Sequence, residues 1–433
     1  MDDRHHQLIP HLITAQAGPF YELEKHILDN RLKIEAWFRE AWFEAEPILT
    51  SSVDLRNAGY KIAAIDTNLF PAGFNNLNPD FYPLCIQAAQ SALYELYPHC
   101  KNILIIPENH TRNPYYYQSV ATLSDIVQKA GYEVMIGSML VKGSPEQVKL
   151  PSGQTLTLHP IERKNDTLTC GSFVPCLVIL NNDLSDGIPE ILQDIKQPIE
   201  PPTKLGWAYR SKAHHFRYYR EICETFAQLV DIDMWQIFPL FYDCGEIDFI
   251  QKDGIECLVH RSHELIEQIQ LKYNQYNIEH KPFVIIKADA GTYGMAVMSI
   301  NDPEQLYNLN RKQRTSMSTR KGGISVNRVI IQEGVYTFET VGESQAVAEP
   351  VVYMIGQHVV GGFYRVHQSR SIDESLNAPG MHFQQLAFSE CCNNPDNRHN
   401  SHLTQNQFYV YSVIARLALL ASCKEKQAVI LKG

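Results

Sequence analysis

The sequence predicts a mixed α/β and α+β fold, in which a doubly wound N-terminal domain precedes two smaller α+β lobes. In the first half, short apolar runs alternate with amphipathic helices, as expected for a sheet with helices on both faces. Pro198, Pro201 and Pro202 then mark a linker, because repeated prolines stiffen the chain and remove backbone donors. In the last third, apolar strands follow one another directly, which is typical of antiparallel sheet.

The first half contains four short apolar runs that we expect to be parallel strands buried on both faces: Lys61–Asp66, Asn102–Pro107, Glu133–Gly137 and Cys176–Asn181. One intervening helix carries signals at both ends. Asn113 can cap its first turn, Pro114 suits its first position and Gly131 can end it.

The second half begins with a helix that Ser211 can cap, followed by a second helix over Arg261–Asn277 and a β-hairpin around Lys287. Three antiparallel strands and a buried helix follow, at Val329–Val335, Glu349–Ile355, His358–Arg365 and Phe408–Ser422. We therefore expect three domains: residues 1–200, 201–328 and 329–433.

Composition argues against a nucleic-acid or anionic-membrane surface, because the net charge is −10 and basic residues are not clustered in excess. The longest apolar run, Val413–Ser422, is interrupted by Arg416 and is too short to span a bilayer. The N-terminus has no apolar signal-peptide core, and the ten cysteines are spaced like reduced thiols. These features predict a cytoplasmic protein.

The strongest functional signal lies in residues 283–298, where Lys287 ends an apolar strand and a glycine-containing loop follows. A buried ammonium is costly unless an anion meets it, and glycines let backbone N–H groups approach phosphate oxygens. We expect a nucleotide to lie here, held by Lys287, Ala290, Gly291, Thr292, Gly294 and Met295. The alternative is a hairpin with a flexible glycine turn, whose lysine protects an edge strand.

A second polar region, between residues 56 and 76, has the groups that an α-amino acid needs. Its ammonium requires a carboxylate, and its carboxylate requires cations or amide donors. The candidates are Arg56, Asn57, Lys61, Asp66, Asn68, Asn75 and Asn76. The alternative for the asparagines is turn formation, since Asn tolerates left-handed backbone.

The lysine, the glycine loop and the strands after them resemble the ATP-grasp fold, in which a nucleotide lies between two sheets. The resemblance implies an adenine hinge at Gln332, Glu333 and Val335, a phosphoryl-binding Arg365, and a magnesium site at Glu374 and Asn377. The alternatives are an exposed turn at the hinge, a structural ion pair of Arg365 with Glu349 or Glu333, and a solvated loop at the metal site.

Six longer blocks carry a closer resemblance: 54–61, 66–77, 107–113, 181–185, 286–295 and 376–383. Together they are similar to the bacterial glutamate–cysteine ligase family of ATP-grasp type. The resemblance implies ATP-dependent joining of L-glutamate, through its γ-carboxylate, to L-cysteine, the first step of glutathione synthesis, with ATP and Mg²⁺ as cofactors.

With that resemblance, the first domain becomes the amino-acid side, the second carries the phosphate loop, and the third carries the hinge and metal site. We expect a γ-glutamyl phosphate intermediate, with Lys287 and Arg365 neutralising the phosphoryl oxygens. The alternatives are an ATP-grasp ligase with another amine acceptor and a non-catalytic nucleotide-binding regulator. The sequence leaves open whether the protein forms a homo-oligomer.

Overall fold

The computed structural model describes residues 19–109, 113–291, 295–319, 325–341, 344–385 and 407–431. Its helices are α1 (Pro19–Asp29), α2 (Arg31–Glu44), α3 (Tyr82–Leu96), α4 (Pro114–Lys129), α5 (Lys212–Val230), α6 (Ile255–Gln275), α7 (Arg311–Ser318) and α8 (Gln407–Ile430). Its strands are β1 (Thr50–Asn57), β2 (Ile62–Asn68), β3 (Asn102–Pro107), β4 (Glu133–Ser138), β5 (Glu146–Lys149), β6 (Thr155–Pro160), β7 (Glu162–Lys164), β8 (Thr167–Thr169), β9 (Leu177–Asn181), β10 (Ile199–Glu200), β11 (Phe241–Glu246), β12 (Val284–Ala288), β13 (Val297–Ile300), β14 (Arg328–Glu333), β15 (Thr340–Val341), β16 (Ala346–Ile355), β17 (His358–His367) and β18 (His382–Gln385). The architecture is mixed α/β with several sheets.

One sheet is antiparallel and has the order β18-β17-β16-β1-β2, with β15 paired to β16. The expectation that Lys61–Asp66 forms a parallel strand was wrong, because β2 returns from β1 as an antiparallel hairpin. Its continuous apolar run has another cause. Ile62 and Ala64 pack in the core with α8, and Ala63 packs on the opposite face. The sheet joins strands from the first and third predicted domains, whose boundaries stay a prediction.

A second sheet has the order β10-β9-β3-β4-β6-β5, and its neighbours are parallel except for β5 and β6. The other three parallel strands predicted from the sequence are therefore confirmed as β3, β4 and β9. One face of this sheet packs with α3 and α4, and the opposite face packs in the core that contains α8. Asn113 caps α4 by accepting from the Tyr115 N–H, as its position before a first-turn proline predicts.

The third sheet has four antiparallel strands in the order β11-β14-β12-β13. The predicted hairpin around Lys287 is β12–β13. Because β12 lies between β14 and β13, Lys287 does not protect an edge strand, and that alternative is excluded. Strand β14 holds the predicted hinge residues beside the lysine strand.

Helix α8 confirms the predicted buried helix and packs against α5 and β2. Most of its side chains from Phe408 to Cys423 are buried. No helix within the described part of the chain is long and apolar enough to cross a membrane.

The cysteines differ from the expectation that all are reduced, because Cys100 and Cys176 form a disulfide. They precede β3 and β9, which are neighbours in the parallel sheet. A sequence separation of 76 residues concealed this proximity. Six other cysteines in the described residues are free: Cys85, Cys170, Cys223, Cys244, Cys257 and Cys423.

Candidate active site

A cleft of about 740 Å³, counting its mouth to solvent, opens where the first sheet, strands β12 and β14, and the start of α5 meet. It brings together ten of the residues predicted from the sequence: Arg56, Asp66, Lys287, Gly291, Met295, Gln332, Glu333, Val335, Arg365 and Asn377. Three further charged residues, which the sequence analysis did not assign to the site, also line it: Asp54, Lys212 and Glu349.

Lys287 lines the cleft, and its side chain is buried. Its Nζ donates to Gln332 Oε1 at 2.6 Å and to the Ile65 carbonyl at 3.0 Å. Burial lowers the pKa of Lys287 to about 8, although the Asp66 carboxylate opposes this shift. Both of its acceptors are neutral, so the ammonium lacks a directly bonded anion among the described residues. Such a group favours an anionic ligand.

Gln332 and Glu333 are consecutive in β14, so their side chains point to opposite faces of the sheet. Gln332 is buried, and its Nε2 has no partner among the described groups. The Glu333 carboxylate accepts from Lys61 Nζ at 2.6 Å and from Trp235 Nε1 at 3.0 Å. Glu333 and Lys61 therefore form a buried structural ion pair, while Gln332 retains an unused donor at the cleft.

The end of β14 offers a backbone donor. The Gly334 N–H is already used, because it donates to the Phe283 carbonyl at 2.9 Å. A Cβ at Gly334 would lie 2.2 Å from the Phe283 ring, so glycine is needed for close packing here. The Val335 N–H has no backbone or side-chain acceptor within the described ranges, and Val335 lines the cleft.

The charged face of the first sheet forms the opposite wall. Glu349 and Arg365 are direct cross-strand neighbours, and so are Asp54 and Asp66. Arg365 Nη1 donates to Asp54 at 2.9 Å and to Glu349, so the structural pairing considered for Arg365 is present. Its Nε is buried without a partner among the described residues. Burial, and next the Glu349 charge, raise the pKa of Asp54 although Arg365 opposes the shift.

Arg56 is committed to protein acceptors. Its Nε donates to Glu349 at 3.1 Å, its Nη1 to the Val335 carbonyl at 3.1 Å, and its Nη2 to the Glu374 carbonyl. It therefore joins the hinge to the 372–374 turn. This use leaves Arg56 few donors for a substrate carboxylate.

Lys212 is a cleft cation that the sequence analysis missed. It is the first residue of α5, and its Nζ donates to Asp66 Oδ1 at 2.9 Å. The ammonium also lies 3.9 Å from the Trp207 ring centroid. Burial would raise the pKa of Asp66, but Lys212 and Lys287 together lower it to about 2. A lysine in the first turn of a helix opposes the helix dipole, and this signal could have identified it.

Five of the predicted amino-acid residues lie outside the cleft lining: Asn57, Lys61, Asn68, Asn75 and Asn76. Asn68, Asn75 and Asn76 make local contacts, as the turn-forming alternative implies, whereas Asn57 bonds to a residue that is distant in the sequence. Asn57 Nδ2 donates to Glu339 at 2.7 Å, Asn68 Oδ1 accepts from the Phe70 N–H, and Asn75 Nδ2 donates to Asn76. A substrate-binding role for these five residues stays a prediction.

The structure describes part of the predicted phosphate loop. Gly291 and Met295 line the cleft, whereas Ala290 does not. Gly291 has a φ of +116°, a left-handed conformation that favours glycine. The predicted Thr292 and Gly294 lie outside the described residues.

The two predicted metal ligands differ in position. Asn377 lines the cleft. The Glu374 carboxylate is turned away, since it accepts from Arg370 Nη1 at 2.5 Å and from the Ser371 N–H at 2.9 Å. No group of three or more His, Cys, Asp or Glu in the described residues is placed to hold a metal. Asp54 and Glu349 are two of the acidic residues that line the cleft together with Asn377.

Comparison with known proteins gives a consistent picture. A model of the family GshA, glutamate–cysteine ligase, matches residues 24–426. The crystal structure of a "putative gamma-glutamylcysteine synthetase" from Methylobacillus flagellatus KT is 50% identical, covers 98% of this chain and 99% of its own, and superposes with a TM-score of 0.89.

Two further solved structures match only distantly. D-alanyl-alanine synthetase A from Vibrio cholerae O1 biovar eltor str. N16961 is 11% identical, with coverage of 73% and 80% and a TM-score of 0.32. A glutathione synthetase-like effector from Globodera pallida is 10% identical, with coverage of 87% and 84% and a TM-score of 0.38. No curated protein matches the chain at a significant level.

Proposed function

The chain belongs to the glutamate–cysteine ligase family, and we propose that its cleft performs the ATP-dependent ligation of L-glutamate to L-cysteine that begins glutathione synthesis. One observation supports assigning the reaction to this cleft. Lys287 and Gln332 present a buried ammonium and a buried unused N–H donor to the same space. A phosphate group supplies the acceptors that both lack.

The proposed ATP site follows from this pair. Lys287 contacts the phosphates, the backbone of the loop that begins at Gly291 covers them, and the Val335 N–H pairs with adenine. This arrangement corresponds to a two-lobed ATP-grasp fold that follows a doubly wound domain. The proposed domains are residues 1–200 on the amino-acid side, 201–328 with the phosphate loop, and 329–433 with the hinge. The proposed compartment is the cytoplasm, where ATP and amino acids are available.

The first chemical step is an in-line transfer. A γ-carboxylate oxygen of glutamate bonds to the γ-phosphorus, the bond to the bridging oxygen breaks, and ADP leaves. Lys287 stabilises charge on the transferring oxygens because it is buried and held in place by Gln332 and Ile65. The unpaired Nε–H of Arg365 is the second protein donor proposed for this charge.

The second step needs no protein nucleophile. The neutral amine of cysteine bonds to the acyl carbon, and the bond between that carbon and the phosphate-linked oxygen breaks. Phosphate leaves with the oxygen that had attacked phosphorus, and the proton that the amine loses passes to phosphate or solvent. Donors that stabilise the phosphoryl oxygens are also suited to the oxyanion that forms on the acyl carbon. None of the free cysteines in the described residues is required.

Magnesium fits the donor set of the cleft. Burial, and to a lesser extent the Glu349 charge, raise the pKa of Asp54, and a divalent cation would favour its ionised form. Two carboxylates and the Asn377 amide are enough, since Mg²⁺ takes its other ligands from phosphates and water. Bound there, it would neutralise phosphate charge. The Glu374 carboxylate is engaged elsewhere, so we propose Asn377, Asp54 and Glu349 as the ligands.

The reaction is tested with oxygen-18 in the γ-carboxylate of glutamate. With ATP and cysteine, we expect a γ-linked dipeptide by mass spectrometry and one labelled oxygen per released phosphate. Retention of all label in the dipeptide would exclude the acyl phosphate. Product formation with another amine but not with cysteine would favour a different acceptor, and nucleotide binding without any product would favour a regulator.

A further inference from the structure

The cationic side chains of the cleft differ in how many of their N–H donors remain unused and available to a substrate. Lys287 uses two of its three N–H groups on protein oxygens, whereas Lys212 uses one, on Asp66. Arg365 is flanked by two carboxylates, Asp54 and Glu349, whose charge exceeds its own. Lys212 therefore has the largest unused capacity to bind an anion, and neither of the proposed reaction steps has used it.

The backbone at the start of α5 does not compete for that anion. The N–H groups of Lys212 and Ala213 donate to the carbonyl and to Oδ1 of Asp289, both at 2.8 Å, and the His214 N–H donates to Ser211 Oγ. The first turn contains no acidic residue, so a lysine there opposes the helix dipole. Despite this unfavourable interaction, the ammonium lies over the Trp207 ring, and Lys212 lines the cleft.

Asp66 supplies the opposite charge beside it. Oδ1 accepts from Lys212, while Oδ2 has no partner in the described part of the chain. The side chain is 36% exposed, so a ligand can reach it. Asp66 forms an ion pair with the Lys212 ammonium, so its carboxylate is the negative partner of the pair.

We propose that Lys212 and Asp66 form a zwitterion clamp, in which Lys212 binds the α-carboxylate of glutamate and Asp66 Oδ2 binds its α-ammonium. This assignment rests on the proposed function and specifies that the clamp binds the α-amino-acid end of glutamate. Lys212 and Asp66 carry opposite charges 2.9 Å apart. They therefore complement the α-carboxylate and the α-ammonium of an amino acid, which are also adjacent and opposite in charge. The clamp replaces the role that the sequence predicted for Arg56 and Lys61.

Glutamate fits the clamp better than cysteine for a chemical reason. The amine of cysteine must lose a proton before it attacks, and a permanent carboxylate partner would keep it protonated. The α-ammonium of glutamate takes no part in the reaction. In addition, Lys287 Nζ bonds the carbonyl of Ile65, the neighbour of Asp66, so a clamped glutamate can extend its γ-carboxylate toward the phosphate site.

Substrate analogues that lack one charge test the clamp. γ-Aminobutyrate lacks the α-carboxylate, and glutarate lacks the α-ammonium. We expect the wild-type protein to prefer glutamate over each by roughly 10- to 100-fold in kcat/KM, as for one charge-assisted hydrogen bond. Lys212→Met should lose the preference over γ-aminobutyrate and keep the preference over glutarate. Asp66→Asn should do the reverse.

Lys272→Met is the matched control, because Lys272 pairs with Asp233 at 2.6 Å outside the cleft lining. It should keep both wild-type preferences. An ATP-dependent rise in melting temperature in every variant shows that the nucleotide site is folded. If Lys212→Met still prefers glutamate over γ-aminobutyrate, or instead loses its preference for cysteine over cysteamine, the clamp is wrong.

A measurement of glutamate binding tests the clamp independently of the reaction. If the wild-type protein forms no γ-linked product, the proposed function fails. Calorimetric titration of glutamate then decides the clamp alone: equal affinity in the wild-type protein and in Lys212→Met overturns it, and an affinity lower by roughly 10-fold or more in the variant supports it.

Discussion

The two faces of β14 hold lysines in similar surroundings but with different partners. On one face, Lys61 is fully buried and bonded to the Glu333 carboxylate, and its ammonium also lies 4.3 Å from the Trp235 ring centroid. On the other face, Lys287 is nearly as buried but meets only the neutral oxygens of Gln332 and Ile65. Burial lowers the pKa of both lysines to about 8.

This comparison teaches that burial and a shifted pKa do not by themselves identify a functional lysine. Both lysines lose hydration on burial, which disfavours their charged form. What distinguishes them is whether the protein provides the counter-charge. Glu333 provides it for Lys61, so that pair stabilises the fold. Lys287 has no directly bonded anion among the described residues, although Asp66 acts on it at longer range, so a ligand is best placed to supply one.

Breaking the structural pair should have the largest effect. Lys61→Met leaves the Glu333 carboxylate buried and unpaired, so we expect a loss of about 3–5 kcal/mol in the free energy of unfolding. Urea denaturation measures it. The double variant Lys61→Met/Glu333→Gln should recover a large part of that loss, because no charge remains buried. If Lys61→Met alone unfolds like the wild-type protein, the pair is not structural.

Lys287→Met should show the converse behaviour. We expect turnover to fall by about 10²-fold or more, because a preorganised charge is lost from the phosphoryl group. Stability should change by less than about 1 kcal/mol, because the variant buries no unpaired charge. Phosphate release and urea denaturation measure the two quantities on the same preparation. Wild-type turnover in this variant would contradict the nucleotide site.

A third buried region extends the comparison, because its acidic side chains have neither a counter-ion nor a ligand among the described residues. Both carboxylate oxygens of Glu24 are buried without partners among the described residues, and Glu339 Oε2 is likewise unpaired. Burial, and next the Glu339 charge, raise the pKa of Glu24 to about 8. The folded protein therefore retains a proton that the unfolded chain releases, so stability falls as the pH rises from about 4.5 to about 8.

Glu24→Gln should remove this pH dependence. We expect the variant to be more stable than the wild-type protein by about 1–3 kcal/mol at pH 8, because an amide carries no charge and can donate to a carboxylate. At pH 5 the two proteins should differ little. Melting temperatures at both pH values measure the difference. A variant that is destabilised equally at both would indicate that Glu24 is ionised in the fold.

The sequence predicted the cleft better than it predicted the partners within it. Lys287 and Gln332 follow from local signals, an apolar strand that ends in polar residues before glycine. Glu333 and Lys61 carry similar local signals but pair with each other across 272 residues, which no local pattern contains. The same limit applies to β2, whose apolar run gives no information about whether its neighbour is parallel or antiparallel.

The smallest effect separates the two predicted metal ligands, which lie three residues apart on different sides of one turn. Asn377→Ala should raise the magnesium concentration needed for half-maximal activity by roughly 10-fold, because a ligand at the cleft is lost. Glu374→Ala is the matched control and should change it by less than about 2-fold, since its partly exposed carboxylate only accepts from Arg370 and Ser371. Magnesium titrations at saturating ATP and glutamate measure both. The reverse order would return Glu374 to the metal site and would require the 371–374 turn to rearrange when ATP binds.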